Sequence, residues 1–269
     1  MSLDGQGAVV TGAGRGIGRA IAEELARAGV KVALVARTGG QLAEVETAIN
    51  TWRPGYARAF VADVRDPQQV DALLAEADGW LGGASLLVNN AGTGGPAGNW
   101  WEADAASWWE CVESIVRGAY NCTRALLPAM LDRKAGRIVA IASTTGTRES
   151  SWGDATSAAK TTLIRQVENL AAATAGRGVY SFALHPGIVR TALLEGYRSS
   201  AQVAAMLDSI PDSMYSAPEL AGQAVVRIAQ GEFDRFNGCF LDATRLDELK
   251  AGEASLGADS LKLRIVPLE

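Results

Sequence analysis

A glycine-rich turn near the start of the chain has the residue types and spacing of a site for a negatively charged ligand. The turn Thr11–Gly18 has glycines at positions 12, 14, 16 and 18, and it follows the apolar run Gly7–Val10, which predicts a buried strand. Residues 17–28 come next, with apolar side chains at helical spacing. Backbone N–H groups and the positive end of the helix dipole converge at such a junction, so we expect it to bind a pyrophosphate.

Charged residues follow the next two predicted strands. Arg37 follows the apolar run Lys31–Ala36, and Arg15 lies in the glycine turn. An arginine in this position can pair with the 2′-phosphate of NADP(H), so we expect NADP(H) to be preferred over NAD(H), unless Arg37 is an ordinary exposed charge. Asp63 follows the third strand, where it can accept a hydrogen bond from an adenine amine or serve as a helix cap or turn residue.

The elements that position these residues alternate along the chain. Apolar runs that predict strands are separated by segments with helical periodicity, which is typical of a parallel sheet covered on both faces. We therefore predict an α/β fold with a doubly wound parallel sheet and ligands at the carboxyl ends of its strands. The predicted strands are 7–10, 31–36, 58–62, 85–88, 136–142 and 179–184, and the predicted helices are 17–28, 39–50, 67–77, about 104–126 and about 155–175.

Composition narrows the class of protein and its partners. The chain has 269 residues, 48% of them hydrophobic and 20% charged, with a net charge of −5 and no clustered basic stripe, so we expect no nucleic-acid partner. Cys111, Cys122 and Cys239 lack metal-ligand spacing, which predicts reduced thiols and no metal site. No apolar run reaches membrane-spanning length, and residues 1–4 lack a charged and apolar leader, so we expect a cytoplasmic protein without a membrane partner.

Several motifs then agree in order and spacing over residues 4 to 243. They are Thr11-Gly12-x-x-x-Gly16-x-Gly18, Asp63-Val64, Asn89-Asn90-Ala91-Gly92, Ser143 at a strand end, Lys160, and Pro186-Gly187. In this combination the sequence resembles the short-chain dehydrogenase/reductase family. The resemblance implies a single NAD(P)-binding Rossmann domain over residues 1–243 with about seven strands, a substrate lid at about 190–215, and a homodimer or homotetramer. From Arg245 on the sequence turns polar, which predicts a C-terminal tail at 244–269.

The resemblance also implies which positions contact the cofactor. Those positions are Gly12, Arg15, Gly16, Ile17, Gly18, Arg37, Asp63, Val64, Asn90, Ala91, Gly92, Lys160, Pro186, Gly187, Ile188 and Thr191.

The catalytic pattern of the family is altered in this chain. In the family a Ser, a Tyr and a Lys do the chemistry, with the Tyr thirteen residues after the Ser and four before the Lys. Ser143 and Lys160 keep that frame, but the residue between them is Thr156, and Ile115 occupies the position of an Asn that often completes a proton relay. An aliphatic hydroxyl is a much weaker acid than a phenol, so we expect Thr156 to bind a substrate or water rather than donate a proton.

Ser143 and Lys160 each keep two interpretations. Ser143 orients a carbonyl or caps a strand end, and Lys160 binds the nicotinamide ribose or is an exposed helix lysine. Of the other possible proton donors, Tyr197 and Tyr215 lie in the predicted lid, where either could instead be apolar wall. His185, the single histidine, is either a structural residue or an acid with a pKa near ~6.5.

Aromatic and apolar residues suggest the kind of substrate. Trp152, in the loop before Thr156, is expected to line the pocket together with Leu193 and Tyr197, which favours a flat, ring-bearing molecule. Trp108 or Trp109, on the long helix, is expected to pack in a subunit interface.

Three functions follow from these features. The first is an atypical NADP-dependent oxidoreductase, of ketoreductase or alcohol dehydrogenase type, acting on a carbonyl or hydroxyl of a ring-bearing, aromatic small molecule. The second is an isomerase, cyclase or lyase that binds the cofactor without net redox, and the third is a non-catalytic partner subunit. The intact cofactor motifs and the frequency of redox activity in the family favour the first, although a shared fold alone does not establish a function.

Overall fold

The chain forms a parallel sheet. A computed structural model describes residues 2–150, 153–252 and 261–263. The strands are β1 Gly7–Thr11, β2 Lys31–Ala36, β3 Ala57–Val61, β4 Ala84–Asn89, β5 Gly136–Ile141, β6 Val179–His185 and β7 Phe240–Asp242. In the described part of the chain these seven strands make one sheet in the order β3-β2-β1-β4-β5-β6-β7, and every neighbouring pair is parallel. The predicted Rossmann class and strand number are confirmed.

Helices connect the strands and cover both faces of the sheet. Those in the described ranges are α1 Gly16–Arg27, α2 Gly39–Trp52, α3 Pro67–Leu81, α4 Ala105–Val112, α5 Gly118–Arg133, α6 Asp154–Ala173, α7 Ala192–Gly196, α8 Ala201–Asp208, α9 Pro218–Ala229 and α10 Leu246–Ala251. No described helix combines the length and apolar content that crossing a membrane requires.

The two faces of β1 pack against different helices because successive side chains of a strand point to opposite sides. Val10 is buried with Ile21 of α1, and α9 belongs to the same core. Val9 is buried in a second core with Leu74 of α3 and Met130 of α5. Burial on both sides explains why the central strands are continuous apolar runs.

The strand order reverses between β1 and β4, which places a crevice at the carboxyl ends of these two strands. The glycine-rich turn follows β1 at this edge, and the turn 89–92 follows β4. The fold therefore brings the two motifs together at the usual ligand position of a doubly wound sheet.

The long helix predicted at about 104–126 differs from the structure in two ways. A π-helical segment, Glu113–Arg117, separates α4 from α5, and α5 continues to Arg133. The predicted end was too early, because α5 contains Pro128, a residue that usually ends a helix, while Met130 beyond it is fully buried against the sheet.

The described part of the predicted C-terminal tail packs on the same chain. Leu246 and Leu249 of α10 are buried in the core that contains α1 and α9. The backbone N–H of Phe240 donates to the carbonyl of Leu261 at 2.8 Å. Residues 253–260 and 264–269 of the predicted tail lie outside the described residues.

Candidate active site

The glycine-rich turn has the geometry of a phosphate cradle. Gly12 and Gly16 have φ angles of 64° and 55°, in the left-handed region that side chains disfavour. A Cβ atom at Gly18 would lie 2.2 Å from the backbone oxygen of Gly12, so only glycine lets α1 approach the end of β1 this closely. Arg15, the N-cap residue of α1, makes no side-chain cap, so the first N–H groups of the helix are left for an anion. These residues fit the pyrophosphate of a dinucleotide.

A hydroxyl and an amide join β1 to β4 beside this cradle. The Thr11 hydroxyl donates to the carbonyl of Val88 at 3.2 Å and accepts from the backbone N–H groups of Asn90 and Ala91 at 2.9 and 3.0 Å. The Asn90 amide donates to the carbonyl of Thr11 at 2.9 Å. Asn90 and Ala91, both predicted cofactor contacts, are thus fixed next to the turn. The role of Thr11 is a finding of the structure, although the residue belongs to the sequence motif.

Four charged side chains meet at the ends of β2 and β3. The Arg65 guanidinium donates to Asp63 at 2.6 Å and to Glu110 at 3.1 Å, and the nearest Arg37 nitrogen lies 3.6 Å from Glu110. The hydrogen bonds from Arg65 hold the pKa of Asp63 below its usual value. The backbone N–H of Arg65 also donates to Asp63 at 3.0 Å, which is the geometry of the turn aspartate that the sequence left open.

Glu110 had no local signal in the sequence. It is 73 positions away from Arg37, and only the packing of α4 near the end of β2 brings the two side chains together. Its carboxylate competes with any second anion for the Arg37 guanidinium, which is about half exposed.

Lys160 and Ser143 lie on facing elements at the end of β5. The Lys160 ammonium donates to the carbonyl of Ile141 at 2.5 Å, and burial lowers its pKa to about 8. The Ser143 hydroxyl oxygen accepts from the backbone N–H of Thr145 at 3.2 Å, while its own proton is not used in that bond. Gly146 permits close contact between this turn and α6, because a Cβ there would lie 2.8 Å from the Lys160 carbonyl carbon.

Thr156 is part of a cluster of three polar side chains. Its hydroxyl is hydrogen-bonded to the phenol of Tyr197, and the Cys111 sulfur lies 3.6 Å from the Thr156 oxygen. The Cys111 thiol donates to the carbonyl of Thr93 at 3.3 Å, and burial raises its pKa. Burial likewise raises the pKa of Tyr197, so the phenol is protonated at neutral pH. Cys111 did not stand out in the sequence as part of this site.

Ile115, at the position where the resemblance predicts an amide, has an apolar side chain. Ile115 is 3% exposed and belongs to the π-helical segment. A Cβ at Gly92 would lie 2.8 Å from its side chain, so the turn after β4 packs directly on this segment. The neighbouring Ser114 hydroxyl accepts from the backbone N–H of Thr93 at 3.0 Å and fixes the same turn.

Two indoles hold the start of α6. The Nε1–H groups of Trp100 and Trp108 both donate to one carboxylate oxygen of Asp154, each at 2.7 Å. Trp108 also packs against a buried cluster, whereas Trp109 is 60% exposed. Of the two tryptophans predicted at a subunit interface, only Trp109 is therefore mainly on the surface.

The predicted lid forms a small structure of its own over 192–208. Thr191 caps α7 by accepting from the N–H of Leu194, and Leu193 is partly exposed. Tyr197 is 4% exposed and packs with Val203 of α8. Trp152, the other predicted pocket residue, lies outside the described residues.

The strand β6 is followed by a tight turn that leads into the lid. Gly187 has a φ of 87°, and a Cβ there would lie 2.4 Å from the hydroxyl of Ser216. Ile188 accepts from the backbone N–H of Ser216 at 2.8 Å. These contacts fix the predicted cofactor segment 186–191 against the far end of the lid.

Of the two remaining candidate proton donors, Tyr215 is hydrogen-bonded to the backbone and His185 is buried. The Tyr215 phenol donates to the carbonyl of Leu207 at 3.3 Å, and the Arg190 guanidinium lies 4.1 Å from its ring centre. His185 is 8% exposed, and its Nδ1 has no hydrogen-bond partner among the described residues. Burial lowers the pKa of His185, so it is neutral at pH 7.

Comparison with known proteins identifies the family. The profile of the short chain dehydrogenases matches residues 6–202. The chain belongs to the short-chain dehydrogenase/reductase family. It is 35% identical to 2-(S)-hydroxypropyl-CoM dehydrogenase 3 of Xanthobacter autotrophicus, over 81% of this chain and 86% of that protein. It is 30% identical to the 3-oxoacyl-(acyl-carrier-protein) reductase FabG of Escherichia coli, over 86% of this chain and 93% of the relative.

Two further members of the short-chain dehydrogenase/reductase family extend the comparison. A short chain dehydrogenase of Pseudocercospora fijiensis is 35% identical over 71% of this chain, and the match spans 62% of that longer protein. A crystal structure from Sinorhizobium meliloti 1021, assigned to the short-chain alcohol dehydrogenases, has 32% identity and a TM-score of 0.81, covering 90% of this chain and 96% of the other. The family binds NAD(P)(H) and acts on small molecules as an oxidoreductase, and the cradle described above fits that cofactor.

Proposed function

We propose that this protein is an NADP(H)-dependent oxidoreductase of ketoreductase or alcohol dehydrogenase type, acting on a carbonyl or hydroxyl of a ring-bearing small molecule. The observation that carries the proposal is the combination of a phosphate cradle at Gly12–Gly18 with Lys160 and Ser143 on facing elements at the end of β5. The relatives named above as a dehydrogenase and a reductase support the reaction class.

Each group in the frame has a defined part in this proposal. A bound reduced nicotinamide supplies hydride to the carbonyl carbon. Lys160, still protonated at pH 7 with its pKa at about 8, holds the nicotinamide ribose, and the Ser143 hydroxyl donates its free proton as a hydrogen bond to the substrate carbonyl. Thr156 contributes a hydroxyl to the site, but an aliphatic hydroxyl is too weak an acid to replace a phenol as the proton donor.

The preference for NADP(H) rests on Arg37 and Arg15 near the cradle. A 2′-phosphate would pair with Arg37 and displace Glu110, whose nearest oxygen lies 3.6 Å from the guanidinium. We propose that Asp63 and Val64 lie near the adenine, with the Asp63 carboxylate still bound by Arg65.

The preference for a ring-bearing substrate is supported by the aromatic and apolar residues around the frame. Tyr197 and Leu193 both lie near Gly94, where a Cβ would be 3.5 Å from the Tyr197 ring and 3.7 Å from Leu193. Trp152 is proposed to complete this wall. A cytoplasmic homodimer or homotetramer remains part of the proposal.

The experiment is NADPH consumption with a panel of cyclic and aromatic ketones, run on the wild type and on Thr156→Tyr. Consumption by the wild type is the expected result and means that a group other than residue 156 donates the proton. Consumption by the variant alone would overturn the proposal in favour of a protein that binds the cofactor without net redox, as an isomerase, cyclase, lyase or partner subunit.

A further inference from the structure

We propose that Tyr197, delivered by the lid, is the catalytic proton donor of this enzyme, and that Thr156 is the positioning residue that holds its phenol. The inference rests on the proposed function and deepens it, because it names the group that replaces the missing phenol of α6. It is carried by the hydrogen bond between the hydroxyls of Thr156 and Tyr197, which are 41 positions apart in the chain.

The position of the Tyr197 hydroxyl is set by its contacts with Thr156 and with the turn after β4. Thr156 and Lys160 are one helical turn apart on α6 and so share a face of the helix. A phenol bonded to Thr156 is therefore held over the same face as the ammonium that is proposed to bind the ribose. A threonine leaves the space above this face that a larger side chain at 156 would occupy.

The surrounding backbone is shaped to accept this ring. Gly94 faces the end of the Tyr197 side chain, where a Cβ would lie 3.5 Å from both Cζ and Oη. Gly95 lies against the start of α6, where a Cβ would be 2.6 Å from that of Ala155, and its backbone hydrogen-bonds the phenol. The turn after β4 thus packs tightly enough to leave room for the ring and little more.

Burial and packing hold Tyr197 in one position. The residue is 4% exposed and belongs to a cluster with Val203 and Leu207 of α8. The second lid tyrosine, Tyr215, instead donates to the carbonyl of Leu207. Of these two phenols, Tyr197 alone is bonded to the catalytic frame.

The proton transfer balances as follows. As hydride reaches the carbonyl carbon, the O–H bond of Tyr197 breaks and a new O–H bond forms on the carbonyl oxygen, which gives the alcohol and a phenolate. Thr156 and the Gly95 backbone, both hydrogen-bonded to the phenol, stabilise the anion that forms. A proton from solvent then restores the phenol.

The kinetic test compares Tyr197→Phe with Tyr215→Phe, two variants that each lose one hydroxyl from the lid. We expect Tyr197→Phe to lower kcat for ketone reduction by about 10²- to 10⁴-fold with unchanged NADPH affinity, and Tyr215→Phe to reduce ketones at the wild-type rate.

The role of Thr156 is tested by a second pair of variants. Thr156→Val should lower kcat about tenfold or more, whereas Thr156→Ser, which keeps the hydroxyl, should have a kcat within about threefold of wild type. Reduction by Tyr197→Phe at the wild-type rate would overturn the inference while leaving the proposed function intact.

A second readout does not depend on turnover. Protein labelled with 3-fluorotyrosine is titrated with pH by ¹⁹F NMR, with and without NADP⁺, and Tyr197→Phe assigns the resonance. We expect NADP⁺ to shift the Tyr197 resonance and to lower the pKa of its phenol, since the oxidised nicotinamide is cationic, and to leave the Tyr215 resonance in place. A Tyr197 resonance whose position and pKa do not change when NADP⁺ binds would overturn the inference but not the proposed function. Absence of NADP⁺ binding, or of NADPH consumption by the wild type, would overturn the proposed function and the inference with it.

Discussion

At the scale of single residues, the proposed preference for NADP(H) depends on the charged side chains at the ends of β2 and β3. Arg65 satisfies Asp63 and also reaches Glu110, which leaves Arg37 with a longer and weaker contact at 3.6 Å. An exposed ion pair of this kind contributes little stability, so replacing the carboxylate with a phosphate is energetically easy.

This arrangement predicts how two variants change cofactor choice. Arg37→Ala should weaken NADPH binding by about 10- to 100-fold and NADH binding by less than about threefold, because only NADPH carries the 2′-phosphate. Glu110→Gln should strengthen NADPH binding about two- to fivefold, because it removes the competing charge. Fluorescence titration of both cofactors measures these affinities. Equal losses for the two cofactors in Arg37→Ala would contradict the assignment.

Lys160 predicts a pH dependence of cofactor affinity. Its pKa is lowered from 10.5 to about 8, so the ammonium is charged below pH 8 and loses its charge as the pH rises through that value. An anionic cofactor binds the charged form better, so NADPH affinity should be highest near pH 7 and should fall as the pH rises through about 8. The variant Lys160→Met should bind NADPH more weakly than the wild type, and its affinity should not fall as the pH rises through about 8. Wild-type affinity that stays constant from pH 7 to 10 would be inconsistent with this role.

At the scale of elements, local patterns predicted what lies close in sequence. The glycine turn, the strand ends and the frame of Ser143 and Lys160 were predicted because each depends on short segments of strand, turn or helix. The bond between Thr156 and Tyr197 and the approach of Glu110 to Arg37 depend on how the lid and α4 pack, and no local spacing encodes that.

The helix boundaries also depend on contacts between distant elements, which local sequence patterns do not predict. The π-helical segment at 113–117 accompanies the packing of Ile115 on Gly92, an interaction between elements that are distant in sequence. The burial of Met130 outweighs the helix-breaking tendency of Pro128, which sequence propensity alone cannot predict.

The junction of β1 and α1 gives a prediction for stability. Gly18→Ala would place a Cβ 2.2 Å from a backbone oxygen, which cannot move as a flexible side chain would, so we expect a loss of about 1–3 kcal/mol in the free energy of unfolding. Gly40→Ala, in α2 with nothing within 4 Å of the new atom, is the matched control and should gain up to about 1 kcal/mol. Denaturant unfolding measures the free energy of unfolding of both variants. Equal values would mean that the close approach of α1 to the end of β1 does not contribute to stability.

At the scale of the whole molecule, one side of α4 and α5 carries exposed aromatic residues. Trp109 and Tyr120 are 60% and 58% exposed, and with Val112 and Val116 they line a shallow cavity of about 330 Å³. Apolar surface of this kind is a usual feature of subunit interfaces.

The proposed homo-oligomer predicts that this surface controls assembly. Trp109→Asp should weaken self-association at least about tenfold in sedimentation velocity, because a charge would be buried against a second subunit. Trp52→Asp, which alters an exposed tryptophan on α2, serves as the control and should sediment as the wild type does. An oligomer unaffected by Trp109→Asp would place the interface elsewhere.

The central proposal is that this protein reduces carbonyl compounds by hydride transfer with Thr156 at the position where the resemblance predicts a phenol. The most direct measurement is to incubate the wild type with NADPH that carries deuterium at both hydrogen positions of nicotinamide C4, together with a panel of cyclic and aromatic ketones. The products are then analysed by mass spectrometry. We predict an alcohol that carries one deuterium. Recovery of every ketone unreduced, with the labelled NADPH bound but intact, would contradict the claim.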